Sequence, residues 1–193
     1  MSFRHPPRYA AWQHGGTRVG FEVTFLSPLD QGYRLEGDTA ALEVGEAWAV
    51  RYAITVDSGW STRSARVWGR SESGEREVLV KGDRAGAWRI NGAEAPDLDG
   101  CLDVDLESSA LTNALPVHRL GLDVGQEADA PAAYVRASDL SVERLEQRYV
   151  RLADDGNRAR YHYEAPGFGF EAQLVYDEFG LVVDYPGIAV RAV

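Results

Sequence analysis

Short segments of alternating apolar and polar residues, separated by turn-forming residues, dominate the chain. The clearest segment is 46–57, where apolar residues occupy every second position from Trp48 to Val56. Because successive side chains of a β-strand point to opposite faces, these residues should form one buried face of a strand. The same alternation predicts four further strands in the first half of the chain, at 19–27, 33–42, 61–71 and 75–82.

Two pairs of turn residues predict tight hairpins. Asn91-Gly92 follows the short apolar segment that begins at Trp88, and Asp155-Gly156 separates 144–154 from 157–164. The last third of the chain therefore predicts a four-stranded meander that continues through 170–177 and 181–185. The spacing within 141–152 fits an amphipathic helix or a strand, and the hairpin signal after it favours the strand. A short helix is expected near 108–114, with Ser108 or Ser109 as its cap and Pro116 beyond its end.

The number of strands sets the expected architecture. About ten or more antiparallel strands in one sheet curl into a barrel or a strongly bent half-barrel. We therefore expect an all-β fold with a single curved antiparallel sheet, open or half-closed, and at most short helices. Residues 1–193 should form one domain, with 1–11 as a loose N-terminal tail. Such a sheet encloses a concavity of the kind that binds small molecules.

Charge and cysteine content exclude several classes of partner. The net charge of −10 argues against a nucleic-acid backbone or an anionic membrane surface as the main partner. Cys101 is the only cysteine, so no intramolecular disulfide is possible, which fits a reducing cytoplasm. Neither an apolar segment of signal-peptide length at the N-terminus nor a run of about 20 apolar residues occurs. The sequence thus predicts a cytoplasmic protein without a transmembrane segment.

The segment 100–122 carries unusual charges for so apolar a run. Asp103 and Asp105 alternate with Leu and Val, so in a strand both carboxylates share one face with Cα atoms about 6.5 Å apart. Like charges at this distance disfavour each other's ionised forms, and a cation such as Arg119, Arg63 or Arg66, or a polar ligand, could compensate them. Asp103, Asp105 and Arg119 could equally form a structural network or line a polar site. Thr112 and Asn113 between them are residue types that hydrogen-bond nearby backbone in turns.

A second candidate site follows the strand predicted at 46–57. Asp57 is followed by a Ser-Gly turn, Trp60 and Arg63. Asp57 could simply cap the turn while Trp60 packs against a barrel end. Alternatively, Trp60 could stack on a sugar ring and Arg63 could bind hydroxyl or phosphate groups.

Other chemistry finds little support in the sequence. The four histidines are scattered and Cys101 stands alone, so we expect no metal site and no cofactor. Nucleophile-elbow and phosphate-loop motifs are absent from the sequence. Paired carboxylates could perform glycoside hydrolysis, with candidates Glu22, Asp57, Asp103 and Asp105, although a chain with 30 acidic residues contains many chance pairs.

Several motifs together resemble the bacterial family named for putative glycolipid binding, which was first described as a domain of unknown function. They are D-x-x-W-x-T-R at 57–63, WRING at 88–92, LDGCLDVDL at 98–106, TNALPVHRL at 112–120, QRY at 147–149 and FGLVVDYPG at 179–187. The resemblance implies a curved antiparallel half-barrel, similar to bacterial carriers that shelter acyl chains. Two positions depart from the family pattern: Ala110-Leu111 replaces Pro-Phe, and His118 replaces an Arg that would carry a permanent charge.

Together these observations predict a non-enzymatic protein that binds a glycolipid or similar amphiphile. The apolar tail would lie along the concave face, where each buried methylene contributes about 0.8 kcal/mol. A hydrolase that uses carboxylates in the same concavity, and a structural protein whose concavity is filled by its own side chains, remain as alternatives. The head group would contact Asp57, Trp60, Arg63, Asp103, Asp105, Asn113 and Arg119.

Overall fold

The computed structural model describes residues 3–83 and 85–192. Strands account for most of the described chain, together with one short α-helix and three turns of 3₁₀-helix. The strands are β1 Tyr9–His14, β2 Arg18–Leu29, β3 Gly32–Glu43, β4 Glu46–Val56, β5 Thr62–Ser71, β6 Gly74–Gly82, β7 Trp88–Ile90, β8 Ala93–Glu94, β9 Asp103–Leu106, β10 Glu127–Asp129, β11 Ala132–Val135, β12 Val142–Leu145, β13 Arg148–Asp155, β14 Arg158–Ala165, β15 Phe170–Tyr176, β16 Val182–Tyr185 and β17 Ala189–Arg191. The α-helix, α1, spans Ala114–Leu120.

One large antiparallel sheet contains most of these strands, which confirms the predicted fold class. Its order is β10-β13-β14-β15-β16-β17-β1-β2-β3-β4-β5-β6-β7-β8, and its edge strands β10 and β8 are not paired with each other, so the sheet is open. A second, three-stranded sheet of order β12-β11-β9 was not predicted, and its β9–β11 pair is parallel. The expectation of a single antiparallel sheet was therefore wrong in this respect.

Alternation along the strands places the core on one face of the large sheet. In β4 the side chains from Trp48 to Val56 are buried at every second position, as the pattern predicts. The buried faces of distant strands meet the same stretch of chain, residues 101–120, which we call the interior segment. Thr62 N–H of β5 donates to Leu102 O at 2.8 Å, and Tyr149 of β13 donates to Asn113 Oδ1 at 3.2 Å. The large sheet therefore wraps around the interior segment.

The interior segment occupies much of the concavity that the curved sheet encloses. Leu111, Leu115 and Val117 are completely buried. They pack beside β9, the part of the interior segment that belongs to the second sheet. A long apolar tail lying along the whole concave face would meet these side chains instead of open space. The space left for a ligand is consequently restricted to one end of the concavity.

Three local expectations are corrected by the structure. Residues 9–11 belong to β1, which pairs with β2 and β17, so the predicted tail of 1–11 is wrong for these residues. The short helix lies at Ala114–Leu120, after a 3₁₀ turn at Leu111–Asn113, and not at 108–114. Pro116 lies inside its first turn, where the missing N–H is not needed, and Ser109 donates to a buried carboxylate instead of capping the helix.

The predicted hairpins are confirmed. Asn91 and Gly92 both have positive φ, 50° and 89°, as a tight turn of primed type requires, and they connect β7 to β8. The second hairpin joins β13 to β14, and its turn residues are one position later than predicted because Asp155 pairs with Arg158. The segment 141–152 forms strands β12 and β13, so the strand interpretation is confirmed over the helix.

Candidate functional site

A pocket of about 250 Å³ lies where the interior segment leaves part of the concavity open. Aromatic side chains from β11, β14, β15 and β16 and the 3₁₀ turn at Pro166–Phe168 form one side of it. Tyr163 packs against Phe170 and Tyr185 with ring centroids 6.1 Å apart in each case. The other lining residues are His14, Gly15, Thr17, Arg18, Asp105, Leu106, Glu107, Ser109, Asn113, Tyr134, Leu145, Ala165, Phe168, Gly187 and Ile188.

The pocket changes character with depth. Phe168 is 45% exposed and Ile188 is half-buried, so the accessible rim carries large apolar side chains beside the exposed Thr17. Ser109 and Asn113 are buried, so polar groups lie at the deeper end. The pocket thus combines an apolar entrance with a polar floor.

Asp105 is the carboxylate of the polar floor. It accepts hydrogen bonds from Thr112 Oγ1 at 2.8 Å and Gln147 Nε2 at 2.6 Å. Burial raises the pKa of Asp105 from 3.8 to about 6; the charges of Asp103 and Glu107 add to this rise, and the two hydrogen bonds oppose it. Its protonation state therefore changes at mildly acidic pH.

Gln147 connects Asp105 to the aromatic side of the pocket. Its Nε2 lies 3.0 Å from Tyr163 Oη while it also donates to Asp105. Because one amide carries two N–H donors, both contacts can form together. The tyrosine hydroxyl is thereby held at the floor while its ring lines the wall.

Asn113 has its polar groups engaged by the sheet. Tyr149 donates to its Oδ1, and Tyr176 donates to its main-chain oxygen at 3.3 Å. These hydrogen bonds join the interior segment to β13 and β15. Asn113 lines the pocket, but its acceptors already have partners.

A buried carboxylate, Glu22 of β2, anchors the interior segment behind the pocket. Tyr52 donates to Glu22 Oε1 at 2.6 Å, Ser109 donates to the same oxygen, and Ala110 N–H donates to Oε2 at 2.8 Å. Burial raises the pKa of Glu22, and these hydrogen bonds work in the opposite direction. Through these hydrogen bonds, Glu22 holds residues 109–110 against the sheet.

His14 borders both the pocket and Glu22. Its Nε2 lies 3.8 Å from Glu22 Oε2, and both ring nitrogens are buried without a hydrogen-bond partner among the described residues. Burial, aided by the charge of Arg18, lowers the pKa of His14 from 6.5 to about 4, although Glu43 opposes this. The imidazole is therefore neutral at pH 7.

Asp57, Trp60 and Arg63 lie together outside the pocket lining. Asp57 Oδ2 accepts from Arg63 Nε at 3.0 Å and from Nη2 at 2.7 Å, while its Oδ1 accepts the N–H groups of Gly59 and Ser61. Burial would raise the pKa of Asp57, but the hydrogen bonds from Arg63 and the turn outweigh it and hold that pKa below its ordinary value. The carboxylate therefore caps the turn.

The Trp60 side chain is buried and packs against two aromatic rings. Its ring stacks on His118 with centroids 3.7 Å apart and an angle of 7° between the planes, and Tyr33 lies at 5.1 Å. Burial lowers the pKa of His118 to about 4, and its Nε2 lies 3.0 Å from Phe179 O, so the neutral ring donates to that carbonyl. At this departure from the family pattern, His118 is half-buried and packs against Trp60.

Arg119 returns to β9 as the sequence predicts, but it pairs with only one of the two aspartates. Its Nη2 lies 2.5 Å from Asp103 Oδ2 and its Nε 3.0 Å from Oδ1, a bidentate pair in which Asp103 is 1% exposed. Burial raises the pKa of Asp103, and Arg119 opposes this. Of the seven predicted site residues, Asp105 and Asn113 line the pocket, while the other five lie in ion pairs or stacking contacts outside its lining.

Sequence reasoning missed most of the pocket residues, including His14, Arg18, Tyr163 and Tyr185. One available signal was the inverted alternation of β2, where polar Glu22 and Thr24 occupy the buried face. Polar residues on an inward face indicate a buried network or a site, and here they indicate the network behind the pocket.

One group of side chains in the described ranges could hold a metal ion, although none was expected. His162, Glu164 and Glu171 bring their ligand atoms within 4.8 Å of one another on β14 and β15. His162 Nε2 and Glu164 Oε1 already form a hydrogen bond of 3.0 Å. The group lies outside the pocket lining and takes no part in it.

The pH dependence of stability should reveal the raised pKa of Asp105. Its folded pKa is raised, so it stabilises the fold most below pH 3.8 and this contribution is lost as the pH rises through about 6. Asp105→Asn should therefore gain stability relative to the natural chain across this window, by up to about 3 kcal/mol above it. Gln147 can turn its amide to accommodate the new side chain.

Denaturant unfolding at a series of pH values measures this difference. Asp30→Asn, at an exposed position, is the matched control for the loss of one carboxylate. A flat difference for Asp105→Asn would contradict a raised pKa.

An open β-sheet wrapped around its own interior segment, with a pocket at one end, defines a β-barrel-like protein. The chain belongs to the family described as Putative glycolipid-binding, whose model matches residues 9–191. It is similar to the crystal structure of a DUF1089 family protein from Pseudomonas aeruginosa, at 33% identity and a TM-score of 0.76, with 94% of this chain and 95% of that chain covered.

A more distant likeness concerns the fold alone. A β-barrel-like protein of domain of unknown function DUF1849 from Brucella abortus matches at 9% identity and a TM-score of 0.53, covering 95% of this chain and 93% of that chain. Comparison with curated proteins gives no match. Within the described ranges, no helix has the length and apolar character needed to cross a bilayer.

Proposed function

We propose that the protein binds an amphiphile, such as a glycolipid, in the pocket between the interior segment and β14–β16, and that it does so without catalysing a reaction. The observation that carries this proposal is the apolar rim at Phe168 and Ile188 above a polar floor at Asp105 and Ser109. Family membership supports the same class of ligand.

The size of the pocket determines how the ligand lies. At about 250 Å³ it is slightly smaller than typical sites for small organic ligands, which begin near about 300 Å³. It suits one head group or a short chain better than a whole lipid. The polar head would enter first, and the apolar tail would emerge against Phe168, Phe170 and Ile188. This arrangement replaces the expectation of a tail along the entire concave face, because the interior segment occupies that space.

The charges around the pocket favour a neutral or cationic head group. Asp105 and Glu107 contribute negative charge, and His14 is neutral at pH 7. Arg18 is the cation among the lining residues, and it is paired with Glu43 at 3.0 Å. Hydroxyl groups could accept from and donate to the floor residues, whereas a phosphate would meet two carboxylates.

Catalysis is the alternative that one observation favours. Asp105 has a raised pKa, as a general acid requires, and Glu107 lines the same pocket. Glu107 Oε2, however, accepts Ala137 N–H at 2.8 Å, and its other oxygen lies 4.0 Å from Arg18. These contacts give Glu107 a structural role, so binding remains the proposal.

Titration with alkyl glucosides of increasing chain length tests the proposal, with alkyl phosphates of the same length for comparison. We expect saturable binding of the glucosides that strengthens with chain length, and weaker binding of the phosphates. Phe168→Asp should weaken glucoside binding by at least about tenfold, because it places a charge on the apolar rim.

Phe25→Asp is the matched control, since Phe25 is an exposed phenylalanine on the opposite face of the sheet. It should bind glucosides like the natural chain. Absence of binding to the natural chain, or equal losses in both variants, would overturn the proposal. Release of free glucose during the titration would replace it with hydrolysis.

A further inference from the structure

His14 is a buried polar side chain that the fold leaves without a hydrogen bond. The side chain is 0% exposed, and neither Nδ1 nor Nε2 has a hydrogen-bond partner among the described residues. Buried polar groups are normally paired, because burial removes their hydrogen bonds to water. Since His14 also lines the pocket, its unpaired imidazole indicates a partner that enters the pocket.

Neighbouring hydrogen-bond donors already have acceptors of their own. Gly15, the next residue in the chain, donates its N–H to a main-chain oxygen at 2.9 Å. Ser109 donates its hydroxyl to Glu22. The guanidinium of Arg18 donates to a carboxylate of β3 and to a main-chain oxygen. The imidazole therefore stays available to a ligand.

Two glycines of the pocket lining keep the main chain near His14 accessible. Gly15 follows His14 directly, and Gly187 lies two residues before Ala189, the partner of His14 on β17. Apart from its chain neighbours, a Cβ at either glycine would meet no heavy atom within 4 Å. Ligand atoms can therefore come close to the chain at both positions without displacing a side chain.

The position of Glu22 determines which ring nitrogen accepts a hydrogen bond. Glu22 accepts on both oxygens, from Tyr52, Ser109 and the N–H of Ala110, which suits an ionised carboxylate. His14 Nε2 lies 3.8 Å from Glu22 Oε2, too far for a hydrogen bond but on the side where a negative charge favours the ring proton. In the neutral imidazole Nδ1 is then the acceptor, and its partner must be a donor.

Asn113 offers the opposite kind of group to the same pocket. Tyr149 and Tyr176 donate to its two oxygen atoms, and these hydrogen bonds do not use the two N–H donors of its side-chain amide. A hydroxyl group can donate to His14 and accept from Asn113. An ammonium group only donates and a carboxylate only accepts, so neither can serve both residues.

We propose that His14 selects a polyhydroxyl head group, with Nδ1 accepting a hydrogen bond from one hydroxyl of the ligand. This inference rests on the proposed function, because the amphiphile must first occupy the pocket. It adds the chemical class of the head group and the residue that distinguishes it from other polar heads. The apolar rim would hold the tail of any amphiphile, whereas His14 would respond to the head alone.

Three ligands with the same octyl tail test the role of His14. They are octyl glucoside, 2-octyloxytetrahydropyran, which keeps the ring but has no hydroxyl group, and octylammonium, which donates but does not accept. His14→Phe should lower the ratio of glucoside affinity to tetrahydropyranyl-ether affinity by at least about tenfold, because only the glucoside loses a hydrogen bond. In the natural chain octylammonium should bind more weakly than the glucoside.

His162→Phe is the matched control, since His162 is half-buried on β14, bonded to Glu164 and outside the pocket lining. It should keep the affinity ratio of the natural chain. Nitrogen-15 nuclear magnetic resonance of the histidine rings gives a second measurement that needs no variant of His14. Addition of the glucoside should move the resonance of the His14 acceptor nitrogen, and addition of the ether should leave it in place.

The outcomes separate this inference from the proposed function. If both ring ligands bind, but His14→Phe keeps their affinity ratio and the glucoside leaves the His14 resonance unmoved, the pocket binds amphiphiles without reading the head group through His14, and the inference is wrong. If octylammonium binds as tightly as the glucoside and moves the same resonance, the polyhydroxyl class is wrong. If none of the three ligands binds to the natural chain, the proposed function falls, and this inference falls with it.

Discussion

Arg119→Met should lower the free energy of unfolding by about 3–5 kcal/mol, because it leaves the carboxylate of Asp103 buried without a partner. Asp103 is 1% exposed and Arg119 is 14% exposed, so water cannot readily replace the lost guanidinium. The pair also fixes α1 against β9, since its two residues belong to these elements. Chemical denaturation of the natural chain and the variant at pH 7 measures the loss.

Two comparisons separate this explanation from a general loss of packing. The double variant Asp103→Leu with Arg119→Met removes both charges and should recover much of the lost stability. Arg51→Met breaks an ion pair whose partners are more than half exposed, and it should cost about 0–1 kcal/mol. A double variant as unstable as Arg119→Met would contradict the unpaired-charge explanation.

The same ion pair illustrates what the sequence could predict. Alternation placed Asp103 and Asp105 on one face of a strand, and the short turn before Arg119 placed a cation within reach. A compensating pair with Arg119 was one of the arrangements that the sequence allowed, and the structure contains it. The sequence could not assign the pair to Asp103 alone, because the partners of Asp105 come from Thr112 and from the distant Gln147.

Strands of the large sheet were predictable because local signals determine them. In β4 alternation alone identifies the buried face. Asn91-Gly92 determines the hairpin between β7 and β8, because these two residues permit the positive φ angles of the turn. The parallel contact of β9 with β11 has no such signal. It joins residues almost thirty positions apart, and long-range pairing depends on the packing of the whole chain.

The pocket was less predictable for the same reason. Its residues come from strands at both ends of the chain, for example His14 of β1, Asp105 of β9 and Tyr185 of β16. Spacing along the chain carries no information about such a meeting. Asp57, Trp60 and Arg63, by contrast, are close in sequence. Local hydrogen bonding accounts for Asp57 and Arg63, whereas Trp60 stacks on the distant His118.

The interior segment is also the part of the fold whose location the sequence concealed. Leu111, Leu115 and Val117 look like an ordinary apolar turn of helix, yet they are completely buried inside the large sheet. A residue in this position contributes to the core and also limits the space available to a ligand. Shortening one of these side chains therefore tests whether the concavity is filled as a permanent feature of the fold.

Leu115→Ala should lower the free energy of unfolding by about 2–5 kcal/mol, the range for removing a large aliphatic side chain from a core that relaxes only partly. Leu115 is 0% exposed in α1, and the segment around it is held to the sheet through Glu22 and Tyr149. Denaturant unfolding of Leu115→Ala against Val124→Ala, at an exposed loop position, measures the effect; the control should change stability by less than about 0.5 kcal/mol. If Leu115→Ala were as stable as the control, α1 would contribute little to the core. A ligand could then displace the interior segment, and the long apolar tail first expected along the concave face would again have room.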